Sequence, residues 1–426
     1  MKKLIVTILV CVMLAAGVLG VLAACGGDDT ITLTVWGSAA QQATFEEMVE
    51  AFKQANPDKK YEIKVAIGEE DMAYSNVSQD STAAADVYCY ASDQLVPLLR
   101  LGALARLGGA NLTAVKENNS AESVEAGSVG FGTADEKVYG YPYAADNGYF
   151  LYYDKSVLDE SDVATLEGLI SACETAGKKI GWAIDVPYYT AGFFFTFGCS
   201  YSVTYDDKFV ETGVNIDFDN ANGVKASKAI AKLTSSSAFA GKGTNNSTIL
   251  TGFSGANRQL AVAVSGAWNA KAIKEALGSD YGVAKLPTVT VDGDTKQMYS
   301  FKGYKLMGVN PHCKYPAEAH ALAAFLTNEE NQATRYEKHA VGPTNTAVAN
   351  SDSVKNDVTL AVLNAQNAFA VPQTSVPSNF WEPLKNYGLN IMDGIAVENP
   401  DPNDDEQFSY QDRLALMVSL IKGTIK

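Results

Sequence analysis

Near the start of the chain, hydrophobic residues first recur at every second position, as in a strand. They then recur with the period of a helix, and afterwards at every second position again. Apolar and polar residues alternate over 31–35, which predicts a strand. Over 40–54 the apolar residues recur every three or four positions, which predicts a helix that ends at Asn56 and Pro57. Alternation returns over 61–67. A strand, a helix and a strand so close together form a βαβ unit, which predicts parallel strands and a right-handed crossover.

The same succession of strands and helices continues towards the C-terminus. Further strands are predicted near 87–90, 179–184, 260–264, 281–285 and 304–309. Further helices are predicted near 95–101, 157–176, 222–234, 269–277 and from 316 to about 339, and the rest of the chain is mostly helical in pattern. This succession predicts an α/β fold. Because 426 residues exceed what one hydrophobic core usually serves, we expect two domains.

The charge of the chain narrows the range of partners. It carries 33 Lys and Arg against 49 Asp and Glu, which gives a formal net charge of −16. Binding to a phosphate backbone needs an excess of basic residues, so nucleic acid is excluded as a partner. The chain has three His and 21 Tyr. This composition leaves little material for a His-based metal site or a His general base, and it favours recognition through contact.

The N-terminal residues resemble an export signal followed by a lipidation site. Lys2 and Lys3 precede an uncharged run over 4–24 that ends in small residues. Cys25 follows, and then a short polar stretch, as in a bacterial lipobox. We therefore expect a signal peptide over 1–24, lipidation at Cys25, and a tether over 25–29 that holds the protein at the extracytoplasmic face of the bacterial cell membrane. A run of this length is also long enough to span a bilayer as a retained helix.

The cysteines beyond the lipidation site do not predict a metal centre. They are Cys89, Cys173, Cys199 and Cys313. Their spacings are long and none belongs to a Cys-x-x-Cys motif, so we expect neither a zinc site nor a cofactor. An exported protein can pair such residues in disulfides, and buried free thiols fit the pattern equally well. The acidic segment 398–406 imitates part of a calcium loop, but Glu406 stands where Gly must turn, so we interpret it as a solvated loop.

Large aromatic residues stand where strands end and helices begin. Trp36 and Tyr90 each end or follow a predicted strand, whereas Trp268 and Trp381 stand at predicted helix starts. Trp182 alone has the pattern of an ordinary buried strand residue. Open α/β sheets bind ligands in the crevice at the carboxyl ends of their strands. Taken singly, each ring fits a core position better, but four at equivalent places favour a ligand crevice.

The residues beside these aromatics favour an uncharged sugar as the ligand. The polar neighbours are Asp93, Gln94, Asn269, Glu382 and Lys385. A pyranose has one face of C–H groups, which aromatic rings can cover, and a rim of hydroxyls, which carboxylates and amides can bind. A nucleotide is disfavoured because the chain has no Walker sequence and its glycines at 127–132 are too irregular for a dinucleotide fingerprint.

Several segments resemble the maltose/maltodextrin-binding proteins of ABC importers, within the sugar-type extracellular solute-binding proteins. They are LTVW at 33–36, ADV at 85–87, YGYP at 139–142, YYDK at 152–155, SGAW at 265–268, YGVAKLP at 281–287, FLTNEE at 325–330 and FW at 380–381. The resemblance implies a two-lobe periplasmic-binding-protein-like fold, in which each lobe is a mainly parallel sheet flanked by helices and the chain crosses between lobes at hinges. It implies a first lobe of 30–144 and 303–346, and a second lobe of 145–302 and 347–426.

The resemblance also implies which residues contact the ligand. The implied contacts are Trp36, Ser38, Gln41, Tyr90, Asp93, Gln94, Asp146, Asn147, Tyr188, Trp268, Trp381, Glu382 and Lys385. Asp146 takes the place of a hydroxyl-binding Glu. The departures from the family pattern are Gln94 and Lys385 in place of Arg, Val186 in place of Glu, and Glu382 in place of Tyr. Residues 36–42 are spaced differently from the family, so Ser38 and Gln41 follow the pattern least closely.

The resemblance implies a maltose- or maltodextrin-type α-glucan as the ligand and ABC permease subunits as partners of a monomer, with the lipid anchor as its link to the membrane. A β-linked or mannose-type oligosaccharide, or a non-sugar solute, is an alternative on the same fold. A glycosidase with Asp93 and Asp146 as its carboxylate pair is the enzymatic alternative. Hydroxyl binding explains both carboxylates, so we expect no enzymatic activity. A purely structural surface protein would have little use for the aromatic set.

Overall fold

The computed structural model describes residues 30–423. The predicted signal peptide at 1–24 and the tether at 25–29, with the lipidation site Cys25, lie outside the described residues and stay predictions. Within the described residues, no helix combines the length and the apolar character that a membrane span needs.

Helices and strands alternate along the described chain, as the hydrophobic pattern predicts. The α-helices are Gln42–Ala55, Ala73–Gln79, Leu95–Arg100, Gly109–Asn118, Ala121–Ala126, Leu166–Ala176, Pro187–Thr196, Ala221–Thr234, Asn246–Phe253, Ala270–Leu277, Pro316–Leu326, Glu329–His339, Thr346–Ala349, Asp352–Lys355, Val358–Asn367, Trp381–Met392 and Tyr410–Lys422. Short 3-10 turns are Ala39–Gln41, Glu70–Met72, Ser92–Gln94, Ala267–Asn269 and Gly278–Asp280. Two-stranded pairs are Ser128–Val129 with Lys137–Val138, Tyr201–Tyr205 with Glu211–Ile216, Thr288–Val291 with Asp294–Gln297, Ser300–Lys302 with Ala370–Pro372, and Ala396–Val397 with Phe408–Ser409.

The first main sheet has five strands. Their order is Tyr61–Ile67, Ile31–Gly37, Val87–Ala91, Lys305–Val309 and Tyr141–Ala144. The predicted βαβ unit is confirmed, because Ile31 to Gly37 pair in parallel with Tyr61 to Ile67. Strand Lys305–Val309 runs against both of its neighbours, and the other four strands share one direction.

The second main sheet repeats this arrangement with four strands. Their order is Tyr281–Ala284, Tyr149–Asp154, Leu260–Gly266 and Lys179–Gly181. Here strand Tyr149–Asp154 runs against both of its neighbours and the other three share one direction. In each sheet the reversed strand is one that the chain enters soon after leaving the other sheet. It therefore starts at the end of the sheet where the remaining strands finish.

Each sheet has its own hydrophobic core, and we call the two parts the first lobe and the second lobe. In the first lobe, helices Gln42–Ala55 and Pro316–Leu326 pack together beside the sheet. The main core of the second lobe draws its buried residues from 149–301 and then from 376–421. The chain therefore builds most of the first lobe, crosses to the second, returns for the strand after residue 304, and crosses back.

Two predicted elements are shorter than the hydrophobic pattern indicates. The helix predicted over 157–176 starts at Leu166, because Thr165 caps its N-terminus by accepting a hydrogen bond from the Gly168 N–H. The preceding residues instead form turns, with the Asp154 carboxylate accepting from Ser156. The strand predicted over 179–184 ends at Gly181.

A close approach between a helix and a loop in the second lobe gives a test of this packing. A Cβ built on Gly388, in helix Trp381–Met392, would lie 2.4 Å from the backbone oxygen of Ile184. Gly388→Ala is expected to lower the free energy of unfolding by about 1–3 kcal/mol through overpacking. Elsewhere in a helix the same change usually stabilises by about 1 kcal/mol.

Denaturant titration measures this effect. The control is Asn386→Ala on the exposed face of the same helix, which is expected to stay within about 0.5 kcal/mol of the parent protein. A Gly388→Ala variant as stable as the parent would mean that the helix does not lie this close to Ile184.

Candidate functional site

The crossings of the chain between the two lobes lie side by side. The first crossing is 145–148 and the second is 303–304, between the strands that end and begin there. A third begins near Gly342, whose backbone oxygen accepts a hydrogen bond of 2.7 Å from the Ala145 N–H in the first crossing. The parts of both lobes nearest these crossings are therefore brought together, whatever their distance in sequence.

The side chain and backbone of Gln373 join these segments. Its Oε1 accepts a hydrogen bond of 2.8 Å from Asn147 Nδ2, and its backbone N–H donates to the Lys302 oxygen at 2.7 Å. Its backbone oxygen accepts from the Ser92 hydroxyl at 3.1 Å. Asn147, predicted as a ligand contact, thus donates one of its amide hydrogens to Gln373. Gln373 in turn links the crossings to the first lobe.

Three of the predicted stacking residues lie in one aromatic group of the second lobe. Tyr188 stacks on Phe301 with ring centroids 5.6 Å apart and an interplanar angle of 14°. Trp268 lies 6.3 Å from Tyr188, and Trp381 lies 6.1 Å from Phe301. Phe301 is buried at the centre, whereas Trp268 and Trp381 keep part of their surface exposed. Sequence reasoning missed Phe301, since nothing in its local pattern separates it from core residues.

Local sequence fixes where two of these rings point. Pro187 stands at the start of its helix, where its fixed φ angle suits the first turn, and this sets Tyr188 in that turn. Trp268 folds back over the end of its strand, so that a Cβ on Gly266 would lie 2.0 Å from the indole ring. Only a glycine at position 266 leaves room for this placement.

Beside Trp268 lies a buried ion pair at the first crossing. Asp146 is 1% exposed, and its Oδ1 lies 3.4 Å from Lys305 Nζ, whose side chain is 12% exposed. Neither Asp146 oxygen has a hydrogen-bond partner among the described residues. Burial works against the charged form of Lys305, but Asp146 and Glu70 outweigh burial and raise its pKa above the usual value. The ammonium therefore stays charged. Lys305 was not among the predicted contacts.

Asp93 is the second carboxylate of the region, on the first-lobe side. Its Oδ1 is buried and lacks a hydrogen-bond partner among residues 30–423. Burial raises the pKa of Asp93 to about 7, Asp71 adds to this rise, and a hydrogen bond with the Gln373 side chain opposes it. Asp93 also contributes, after burial, to the raised pKa of Tyr188 and Tyr201 in the second lobe. The adjacent Ser92 donates its hydroxyl to the Gln373 oxygen, which places this first-lobe turn beside the second lobe.

The expectation for Tyr90 needs correction. Its ring is fully buried in a first-lobe cluster with Tyr88 and Leu306. Tyr88 and Tyr90 are two residues apart, so their side chains point to the same face of the strand. The helices Ala73–Gln79 and Leu95–Arg100 cover that face. The ring of Tyr90 therefore packs inside the first lobe and has no free face for a ligand.

Gln94 also has a supporting role within the first lobe. Its Oε1 accepts a hydrogen bond of 2.7 Å from the Tyr74 N–H, and its Nε2 donates to the Glu70 backbone oxygen at 3.0 Å. The side chain is buried. These hydrogen bonds hold the turn that contains Glu70 in place. Both polar groups of the Gln94 side chain are therefore used inside the first lobe, and we expect it to support the site without touching the ligand.

The predicted contacts at the end of the first strand and directly after it are placed differently from one another. Trp36 is partly exposed and lies 6.3 Å from the Tyr88 ring. Ser38 and Gln41 are each 6% exposed, and the hydroxyl of one and the Oε1 of the other have no hydrogen-bond partner within residues 30–423. These two oxygens are therefore buried and accept no hydrogen bond from the described residues.

Glu382 and Lys385 lie on the exposed side of the helix that starts at Trp381. Their charged groups pair with each other at 3.6 Å, with 71% of the Glu382 side chain and 45% of the Lys385 side chain exposed. An exposed pair of this kind contributes little to stability. Both side chains reach solvent, in contrast to the buried pair at Asp146.

The four cysteines among the described residues are free thiols. Cys89, Cys173 and Cys199 are buried and Cys313 is half-buried. Burial, with a smaller contribution from Glu70, raises the pKa of Cys89 to about 12, so its thiol stays protonated. Of the two possibilities that the sequence left open, the structure has the unpaired one. Across residues 30–423, no group of three His, Cys, Asp or Glu side chains is placed to hold a metal ion.

A family model described as bacterial extracellular solute-binding protein matches residues 47–362. The chain belongs to this family. The expected α/β fold of the periplasmic-binding-protein type is confirmed, since solved structures of this kind cover nearly the whole chain. The family and the relatives are binding proteins and not enzymes, so the glycosidase alternative with Asp93 and Asp146 as catalytic pair is not supported.

Individual relatives of this solute-binding protein match over most of their length. The galactooligosaccharide-binding protein of Bacillus subtilis (strain 168) is 27% identical over an alignment of 417 positions, and the match covers 92% of this chain and 92% of its own. A structure solved with acarbose is 30% identical, has a TM-score of 0.79, and matches 93% of this chain and 100% of its own. The ligand-free maltodextrin-binding protein MalE1 of L. casei BL23 is 24% identical with a TM-score of 0.73, over 93% of this chain and 100% of its own.

The raised pKa of Asp93 predicts a pH dependence of stability. In the unfolded chain an Asp has a pKa of about 3.9, and in the folded protein the pKa of Asp93 is about 7. Between these values the folded state binds a proton that the unfolded state does not, so this residue makes the free energy of unfolding fall as pH rises from 4 to 7. Asp93→Asn should therefore gain stability relative to the parent protein across this range and keep the gain at pH 8.

Thermal or denaturant unfolding at pH 4.5, 6 and 8 checks this expectation. The control is Asp58→Asn, an exposed residue at the surface of the first lobe. A stability difference between Asp93→Asn and the parent that is the same at all three pH values would contradict the buried placement of the carboxylate.

Proposed function

We propose that this protein captures an oligosaccharide of the maltose or maltodextrin type outside the cell and delivers it to the permease of an ABC importer. The observation that carries the proposal is the aromatic group of Tyr188, Trp268 and Trp381 beside the buried Asp146. These residues lie next to the chain crossings between two lobes of a solute-binding protein.

The chemistry of these groups supports a neutral sugar as the ligand. Aromatic rings offer amphipathic area to the C–H face of a pyranose. Asp146 and Asp93 keep buried carboxylate oxygens without partners among the described residues, and such atoms are costly unless they are hydrogen-bonded. Sugar hydroxyls are donors that can reach both. A ligand that stacks on the rings therefore also supplies the hydrogen bonds that the protein leaves unmade.

Two sugar classes are in competition for this site. The relative solved with acarbose and the maltodextrin-binding neighbour support an α-glucan. The Bacillus subtilis relative, named for galactooligosaccharides, supports a second candidate, which is a galactooligosaccharide in the same site. The departures at Gln94, Glu382 and Lys385 lie among the implied contacts, and Val186 stands where the family has a Glu, so the choice between the two sugar classes is made by experiment.

We also propose that binding closes the two lobes over the ligand. The lobes are 30–144 with 303–346, and 145–302 with 347–426. A ligand that touches both lobes favours the closed form only by binding it more tightly than the open form. The crossings near Asn147, Gly303 and Gly342 are where backbone angles can absorb the movement.

The proposed cellular setting follows from the N-terminal pattern. Cleavage before Cys25 and lipidation of its thiol would anchor a monomeric binding protein to the extracytoplasmic face of the cell membrane, where it meets the permease. Cys25→Ala in the full-length chain should abolish incorporation of a labelled fatty acid into the protein in the producing bacterium. Equal labelling of the variant and the parent protein would contradict lipidation at Cys25.

A thermal-shift panel identifies the ligand class. The panel contains maltose to maltoheptaose, galactooligosaccharides of two to four units, cellobiose, mannobiose and trehalose. Ligand binding to the folded state raises the melting temperature with the ratio of ligand concentration to Kd. The proposal expects the largest shifts for the maltooligosaccharides, larger galactooligosaccharide shifts would favour the second candidate, and a flat panel would contradict both.

Removing a stacking ring should weaken binding. Trp268→Ala or Trp381→Ala is expected to cost about 1–3 kcal/mol of binding free energy, because each indole covers one sugar face. Calorimetric titration with maltotriose, or with the best sugar of the panel, measures the loss. Phe131→Ala, at an exposed aromatic in a surface loop, is the control. Titrations of both tryptophan variants that match the parent protein would show that the site is elsewhere.

A further inference from the structure

Lys305 extends from the first lobe to Trp268 of the second lobe, whose indole is one of the rings proposed to stack on the sugar. It is the first residue of strand Lys305–Val309, directly after the second crossing. Its Nζ lies 5.9 Å from the centroid of the Trp268 ring and 3.4 Å from Asp146 Oδ1. The residue therefore joins the three features of the site, which are the crossing, the carboxylate and the aromatic platform.

The pairing of Lys305 with Asp146 is incomplete by the standards of a buried ion pair. Such a pair offsets its loss of hydration only when further hydrogen bonds satisfy the remaining donors and acceptors. Both Asp146 oxygens lack a hydrogen-bond partner within residues 30–423. Glu70 also attracts the ammonium, but its Oε1 already accepts a hydrogen bond from the Tyr143 hydroxyl. Among the described residues, both Asp146 oxygens are therefore available to a further hydrogen-bond donor.

We infer that Lys305 is a ligand-contacting residue that, together with Asp146, selects which pattern of sugar hydroxyls is accepted on Trp268. This inference rests on the proposed function. A sugar ring stacked on Trp268 takes the face over which the ammonium lies. The ammonium then moves to the rim of the sugar, where it donates to hydroxyl oxygens while Asp146 accepts from hydroxyl groups.

Lys305 is a hydrogen-bond donor and Asp146 is an acceptor, and they lie side by side. This arrangement suits the pair to distinguish between sugars by their hydroxyl groups. A cationic donor next to an anionic acceptor matches two adjacent hydroxyls, one of which accepts and one of which donates. A change in the orientation of one hydroxyl, as between glucose-type and galactose-type units, alters the distance to Nζ or to the carboxylate. A site built to hydrogen-bond hydroxyls rejects a mismatched ligand strongly, because its buried polar groups are left unpaired.

A second lysine provides a matched control. Lys285 also lies over an aromatic ring, with its Nζ 5.1 Å from the centroid of Phe369. Its Nζ donates to Gln297 Oε1 at 2.6 Å, and all three residues belong to the second lobe. Lys285 thus has the same cation–aromatic contact without Asp146, the crossing or a proposed sugar platform.

The experiment compares Lys305→Met with Lys285→Met by calorimetric titration of the folded proteins with maltotriose and with a galactooligosaccharide of three units. Lys305→Met should raise Kd for the preferred sugar about tenfold or more, because a charged hydrogen bond is lost, and the ratio of the two Kd values should move towards one. Lys285→Met should leave both Kd values within about twofold of the parent protein.

Opposite outcomes overturn the inference. An unchanged Kd, or tighter binding by Lys305→Met, would mean that the ammonium only occupies the platform and is displaced without contacting the sugar. If Lys305→Met does not fold, the same titrations are made with Lys305→Arg. This variant keeps the positive charge of the ion pair but replaces the compact ammonium with a planar guanidinium. An unchanged ratio of the two Kd values in Lys305→Arg would then count against the inference. Failure of the parent protein to bind any sugar of the panel would instead contradict the proposed function and this inference together.

Discussion

The candidate site depends on one constraint, which is that the chain passes between its two sheets at neighbouring places. Each sheet contains a reversed strand, Tyr149–Asp154 in one and Lys305–Val309 in the other, and each is entered from a crossing. The remaining strands of both sheets therefore end where the crossings lie. Turns and helix starts that follow these strands, such as those at Asp93 and Trp268, are carried to the same region by the topology.

Electrostatics and hydrogen bonding give this region its character. Carboxylate oxygens of Asp93 and Asp146 and the hydroxyl of Tyr188 are buried and without hydrogen-bond partners among the described residues. Buried polar groups are normally paired, so the unpaired ones beside these aromatic rings support the proposed binding site. The hydrogen bonds that Gln373 forms with Ser92 and Asn147 hold the crossings together without using these atoms.

Much of the fold could be predicted from the sequence, because local periodicity determines strands and helices. The βαβ unit at the start of the chain and the aromatic residues at element boundaries follow from such patterns. Tyr90 was misjudged because a residue at the end of a strand can face either the crevice or the covering helices, and only tertiary packing decides between them. Lys305 and Phe301 were missed for a related reason, since their importance comes from distant segments that meet at the second crossing.

Hydrogen–deuterium exchange of the folded protein, with and without the sugar that gives the largest thermal shift, tests the central claim most directly. The account predicts that bound sugar slows exchange in the crossings at 145–148 and 303–304 and in the segments that carry Tyr188, Trp268 and Trp381. Protection confined to a surface of one lobe, with unchanged exchange at the crossings, would contradict a ligand site between the lobes.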